Sequence, residues 1–337
     1  MADRFVLKPG RWNRRAFLTA GLAGAGIGAG AIALNGLNRS RASPRVTVPP
    51  IPATEAAPAG INPLTFLRQF DYGTVTRENG RTVREFRVEA RTSAIKLNKA
   101  TSFITWNLNG QVPAPTFRAM EGDLIRVIFY NRAGHSHSLH FHGVHPAQMD
   151  GVRPVRNSSV FIYEFEAAPS GVHLYHCHVA PVTRHIGKGL YGMFIVDPPT
   201  PRPPADEMVL IMAGYDVNDD RKNELYAFNG IPDFYMEHPI PIQQDQLVRL
   251  YVLNMIEFDA AATFHLHANM FRVFRTGRSL QPDEETDVIT MGTAERHILE
   301  FSYHHLGKFM FHPHQDAIAE AGCMGMFEVI GSPPAKS

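Results

Sequence analysis

Asp123-Leu124-Ile125-Arg126-Val127 returns later in the chain as Gln246-Leu247-Val248-Arg249-Leu250, and this pair decides the fold. Each copy is a short apolar run with alternating character, as expected of a strand that buries one face. Four more landmarks recur around it in the same order. Asn109-Gly110 is matched by Asn229-Gly230, His140-Phe141-His142 by His265-Leu266-His267, and His176-Cys177-His178 by His312-Pro313-His314. Tyr191-Gly192-Met193-Phe194-Ile195-Val196 is matched by Met324-Gly325-Met326-Phe327-Glu328-Val329. Landmarks that recur in one order predict a duplicated domain. Other runs, such as Val83 to Val88 and Phe161 to Phe165, are equally short and are separated by Gly, Pro and Asn. The predicted class is all-β, with two Greek-key β-sandwich domains.

The clearest boundary is the Pro-rich junction Asp197-Pro198-Pro199-Thr200-Pro201-Arg202-Pro203-Pro204. It places a first domain over 64–198, a linker over 199–205, a second domain over 206–331 and a tail over 332–337. Ahead of these, residues 46–63 form a Pro/Ala-rich arm. Residues 1–45 resemble a twin-arginine export signal, with Asn13-Arg14-Arg15-Ala16-Phe17-Leu18 followed by a weakly apolar Gly/Ala stretch. The expectation is a periplasmic or secreted protein with no stable membrane span once that segment is removed. Gly and Ala supply little transfer energy, so an anchor is the weaker reading.

Net charge is +1, which favours no nucleic-acid partner. The 2 Cys cannot build a disulfide framework, whereas the 17 His point to metal chemistry. Four His-x-His pairs occur, two in each repeat. On a strand, residues i and i+2 share a face, so each pair presents two imidazoles side by side. The plain alternative for one pair is a surface strand with incidental histidines; four pairs at matching places make that alternative poor. Cys177 sits between His176 and His178 and points to the opposite face. With His137 and His185 it completes a His2Cys set, the ligands of a blue-copper site. The backbone then links the thiolate to both neighbouring imidazoles, so a mononuclear electron acceptor is wired to a cluster.

His137-Ser138-Leu139-His140-Phe141-His142-Gly143 and the other three His-x-His motifs resemble the four copper motifs of multicopper oxidases. The layout is similar to the two-domain, laccase-like subgroup with a type 1 copper in the first domain only. The resemblance covers both repeats and implies cupredoxin folds and four coppers per chain. It implies type 1 copper on His137, Cys177 and His185, and type 2 copper on His140 and His265. It implies a type 3 pair on His142, His176, His178, His267, His312 and His314. Dioxygen and a small reducing substrate, phenolic, aromatic or a metal ion, would be the partners. The resemblance also implies a homotrimer, with each cluster between one chain's first domain and the next chain's second.

Several positions depart from that pattern. The eight-residue spacing from Cys177 to His185, and the run His185 to Gly192, look more like copper nitrite reductases. That enzyme carries an Asp where this chain has His140. Leu190 holds the axial position and cannot donate to copper, which raises the expected potential; Met193 is the weaker axial candidate. Ala262, Pro313 and Ile318 exclude a second type 1 site, and Cys323 is left as a buried thiol. His135 and His145 lie close enough to tune the site. Asp150 matches an acidic residue near the type 2 copper of the family and is a candidate proton relay; the plain alternative is a turn Asp before Gly151. Asp316 is a weaker second candidate.

Overall fold

The computed structural model describes residues 62–331. The export segment, most of the arm and the tail lie outside them. The described residues form four sheets, two built from strands between Phe70 and Asp197 and two from strands between Asp206 and Ile330. The helices among them are short, three to six residues long.

The repeat seen in the sequence is repeated in the pairing. In the first sandwich, Thr116–Met120 runs parallel to Tyr191–Asp197, which pairs antiparallel with Gly171–His176. That strand in turn pairs antiparallel with His140–Phe141. The second sandwich has the same order: His238–Gln243 parallel to Gly325–Ile330, then antiparallel Gly307–His312, then Ala261–Leu266. The register agrees as well, with His140 opposite His176 and His265 opposite His312. The two Asn-Gly landmarks are equivalent tight turns. Asn109 and Gly110 have φ of 56° and 79°, Asn229 and Gly230 of 51° and 95°. Two successive left-handed residues are what a type I′ hairpin turn requires, and Asn and Gly tolerate them best.

Each sandwich has its own apolar filling. Phe86, Val127, Phe129, Tyr163 and Tyr175 centre the first, and Leu250, Phe264, Val273, Leu299 and Phe327 the second. A third cluster spans both: Val172, Leu174 and Met193 from the first meet Val209, Ile211, Tyr251 and Ile298 from the second. Each such side chain contributes about 1.5–3 kcal/mol on burial, so the two sandwiches are held as one compact unit. Beside this seam, Arg118 bridges Asp197 and Glu207 at 2.7 Å each, across the Pro-rich segment. Arg249 continues the network to Glu207 and to the buried Glu300.

Candidate metal centres

The strand geometry delivers three clusters of nitrogen and sulfur donors. The first is fully enclosed. His137, Cys177 and His185 are 0%, 0% and 4% exposed. His137 lies on the loop before His140–Phe141, Cys177 at the end of Gly171–His176, and His185 on the short helix Val182–Gly187. The two Nδ1 atoms are 3.1 Å apart, and they lie 3.6 and 3.1 Å from the Cys177 sulfur. A point equidistant from these three atoms is about 1.9 Å from each, close to the ~2 Å bond of a transition metal to imidazole nitrogen. The donor set therefore fits a trigonal soft-metal site. Burial pulls His137 down to about 3, helped by His185 and His135. Burial also pulls His185 down to about 4, helped by His135 and Arg184. Both rings are thus neutral ligands at ordinary pH. Burial pushes the Cys177 thiol up, against the opposing amides of Val179 and Ser138; a cation held there would favour the thiolate.

Leu190 packs in the same apolar cluster as Cys177, and its carbonyl accepts the Cys177 N–H at 3.0 Å. Met193 belongs instead to the seam between the sandwiches. At the matching place in the second sandwich, Ala262, Ile318 and the free, buried Cys323 fill the core with no imidazole among them.

The other two clusters are near-copies of each other. In the first, the rings of His140, His142, His176 and His178 lie within 5.0–5.9 Å along adjacent pairs. In the second, His265, His267, His312 and His314 lie within 5.1–6.1 Å. The hydrogen bonds around them fix the tautomers. His140 and His176 donate Nδ1–H to the carbonyls of Asp150 and Cys177 at 2.8 and 2.9 Å. His265 and His312 donate to those of Asp287 and Pro313 at 2.8 and 2.7 Å. Their Nε2 lone pairs are left facing inward. The Nε2 atoms of His142 and His176 then approach to 3.3 Å, and those of His267 and His312 to 2.9 Å. Converging nitrogens of this kind fit a bridging cation. Burial draws His142 to about 3 and His176 to about 4, with neighbouring imidazoles adding to the effect.

No ring contact or hydrogen bond joins the two sets of four among the described residues. Both sets reach solvent, through the exposed His178 and His314. Within one chain they are two separate sets of four imidazoles, each open to solvent.

The Asp150 carboxylate lies 3.1 Å from His140 Nδ1 and 3.8 Å from His145 Nε2. His145 Nε2 is 2.8 Å from the Phe141 carbonyl. Asp316 opens the helix Asp316–Ala319 and is exposed; neither a hydrogen bond nor an ion pair joins its carboxylate to these histidines. The counterpart of Asp150 is Asp287, whose carboxylate lies 3.9 Å from His265 Nδ1. Sequence reasoning missed it, because Asp287 follows His265 by 22 residues while Asp150 follows His140 by 10.

Comparison with known proteins agrees with this geometry. Two multicopper oxidase family profiles match residues 89–201 and 201–332. A solved structure described as a multicopper oxidase is 44% identical, with a TM-score of 0.79, covering 81% of this chain and 98% of its own. A blue copper oxidase from Nitrosomonas europaea is 26% identical with a TM-score of 0.66, covering 73% of this chain and 86% of its own. The copper-containing nitrite reductase of Neisseria gonorrhoeae is 25% identical over 274 residues, 73% of this chain and 68% of that protein. With profiles covering both repeats and a set of four imidazoles in each, the chain belongs to the multicopper oxidase family, copper oxidoreductases of cupredoxin-like fold.

Proposed function

We propose that this enzyme is a laccase-like oxidase that takes single electrons from a small reducing substrate and passes them to dioxygen. The observation that carries the reading is the pair of matched half-sites, which together offer eight imidazoles. His137, Cys177 and His185 would hold a type 1 copper; His140 and His265 a type 2; His142, His176, His178, His267, His312 and His314 a type 3 pair. Bound copper would supply one-electron acceptance at the first site and four-electron reduction of dioxygen to water at the second.

The chain's own residues do the rest. Cys177 is covalently continuous with His176 and His178, so the backbone is the shortest route from one centre to the other. Backbone carbonyls lock the rings in the tautomer that keeps Nε2 free. Asp150, and Asp287 opposite, stand where a carboxylic acid can hold a proton beside the cluster; Asp316 is the weaker choice. The two half-sites would be closed by a neighbouring chain in a cyclic trimer. Residues 1–45 would direct export by the twin-arginine route, to the periplasm or beyond, and no helix among the described residues is long and apolar enough to cross a membrane.

A second reading, copper nitrite reductase, is supported by the Neisseria relative and by the Cys177–His185 spacing. His140, in place of that enzyme's Asp, argues against it. Copper analysis with oxygen uptake decides. About four coppers per chain and oxygen consumption with a phenol support the oxidase. Two coppers per chain with nitrite turnover would overturn it. Oxygen uptake with Fe(II) or Mn(II) but no phenol would mark a metal-ion oxidase.

A further inference from the structure

The enclosed His2Cys site is capped by two rings that belong to neither its donors nor the imidazole clusters. On the inner side, Cys177 and Leu190 pack into the apolar filling of the first sandwich. Against the donor imidazoles stand Trp106 and His135. Trp106 meets the His185 ring edge-on at 4.8 Å and the His137 ring at 5.6 Å. His135 meets Trp106 at 4.2 Å and His137 at 4.5 Å, but His185 at 6.2 Å. His185 keeps 4% of its surface, and His137 and Cys177 keep none. The two capping residues are partly exposed, so the cap, more than the donors, presents the surface from which the site is reached.

The placement of Trp106 is fixed by the backbone. Its strand, Ser102–Leu108, is tied to the end of the helix that carries His185, because the Trp106 N–H donates to the Lys188 carbonyl at 2.9 Å. Gly189 permits that approach. It has φ of 112°, and a Cβ there would lie 2.6 Å from the Val112 side chain and 3.1 Å from the Trp106 carbonyl. The guanidinium of Arg184, the residue before His185, stands over the indole at 5.8 Å and pairs with Asp219 of the second sandwich at 2.7 Å. A cation over an indole is attracted to the electrons of the ring, so it opposes taking one away. An indole placed in this way is a bridge for a passing electron rather than a place where an oxidised ring can rest.

We propose that Trp106 is the electron bridge into this site: a reductant at the surface passes its electron through the indole to the His185 ring and the type 1 copper. The inference rests on the type 1 reading of His137, Cys177 and His185. In the step an outer-sphere reductant loses one electron and bound Cu(II) becomes Cu(I). No bond is made or broken, no proton moves, and Trp106 ends as it began. Trp106 acts through His185, so it is a positioning residue for the transfer and not a ligand.

The test mixes copper-loaded full-length protein, without oxygen, with hexacyanoferrate(II), which gives up an electron and no proton. Bleaching of the blue band should be about 10-fold slower in Trp106→Leu, and Trp106→Phe, which keeps a ring, should restore most of the rate. The type 1 potential from a redox titration should be the same in all three proteins, so the change lies in coupling and not in driving force. A second readout needs no turnover. Trp12 and Trp106 are the chain's two tryptophans, so in Trp12→Phe protein the indole emission is that of Trp106. Loading copper-free protein with Cu(II) should quench this emission, and Cys177→Ser on the same background should keep it. Equal bleaching rates in Trp106→Leu and wild type, a slower rate matched by a fallen potential, a larger loss in His135→Leu, or emission that copper leaves unquenched overturns this inference alone. A protein that gains no blue band on copper loading overturns the type 1 reading and the bridge with it.

Discussion

Cys177 joins two kinds of chemistry through one residue. Its sulfur lies with His137 and His185, while its carbonyl accepts from His176 and its chain neighbours face the imidazole cluster. Cys177→Ser should therefore remove the blue band near about 600 nm that thiolate-to-copper transfer produces, and stop donor oxidation. Metal analysis should still find the cluster's copper; a retained blue band would place the type 1 site elsewhere. Asp150→Asn leaves the backbone carbonyl that fixes His140, but removes the exchangeable carboxyl proton. Copper content should hold while kcat for oxygen uptake falls about 10²-fold; Asp316→Asn should change kcat little. The depressed histidines also predict a pH effect on the copper-free chain. His137, His142, His176 and His185 stay neutral when folded down to about 3–4, whereas in the unfolded chain they take up protons from about 6.5. Over that window the unfolded state binds more protons, so stability falls as pH falls. The thermal midpoint of copper-free protein should drop steadily from pH 6.5 to 4, and a flat midpoint would contradict these environments.

At the scale of the element, the turn that delivers Asp150 depends on one glycine. Gly151 has φ of 75°, and a Cβ there would run into the backbone of Leu139, the residue before His140. Gly151→Ala should cost about 2 kcal/mol and displace Asp150 from His140. The thermal midpoint and the type 2 copper resonance should report both losses; an intact resonance would show that the loop is free to move. The strand ends that deliver the histidines were legible in the sequence because each His-x-His pair alternates with a buried residue, Phe141, Cys177, Leu266 or Pro313, although only the first histidine of each pair lies within its strand. The seam between the sandwiches was not. Gly171–His176 and Tyr191–Asp197 are buried on nearly every residue, so they show no alternation to say which side faces a second sheet. Asp287 was hidden for another reason: it reaches His265 from the loop before Val288–Gly292, and its separation along the chain does not copy that of Asp150.

For the whole molecule, the decisive fact is that the two imidazole sets stay apart within a chain and both open to solvent. On the trimer reading, light scattering should give about three times the mass of one processed chain; a monomer that still reduces dioxygen would refute it. The same separation has a genetic consequence. A chain with His142→Ala keeps a sound second half-site, and a chain with His267→Ala keeps a sound first one. Each alone should be dead. Co-expressed at equal levels, they should pair intact halves at about a quarter of the interfaces, so two inactive alleles should restore activity to each other.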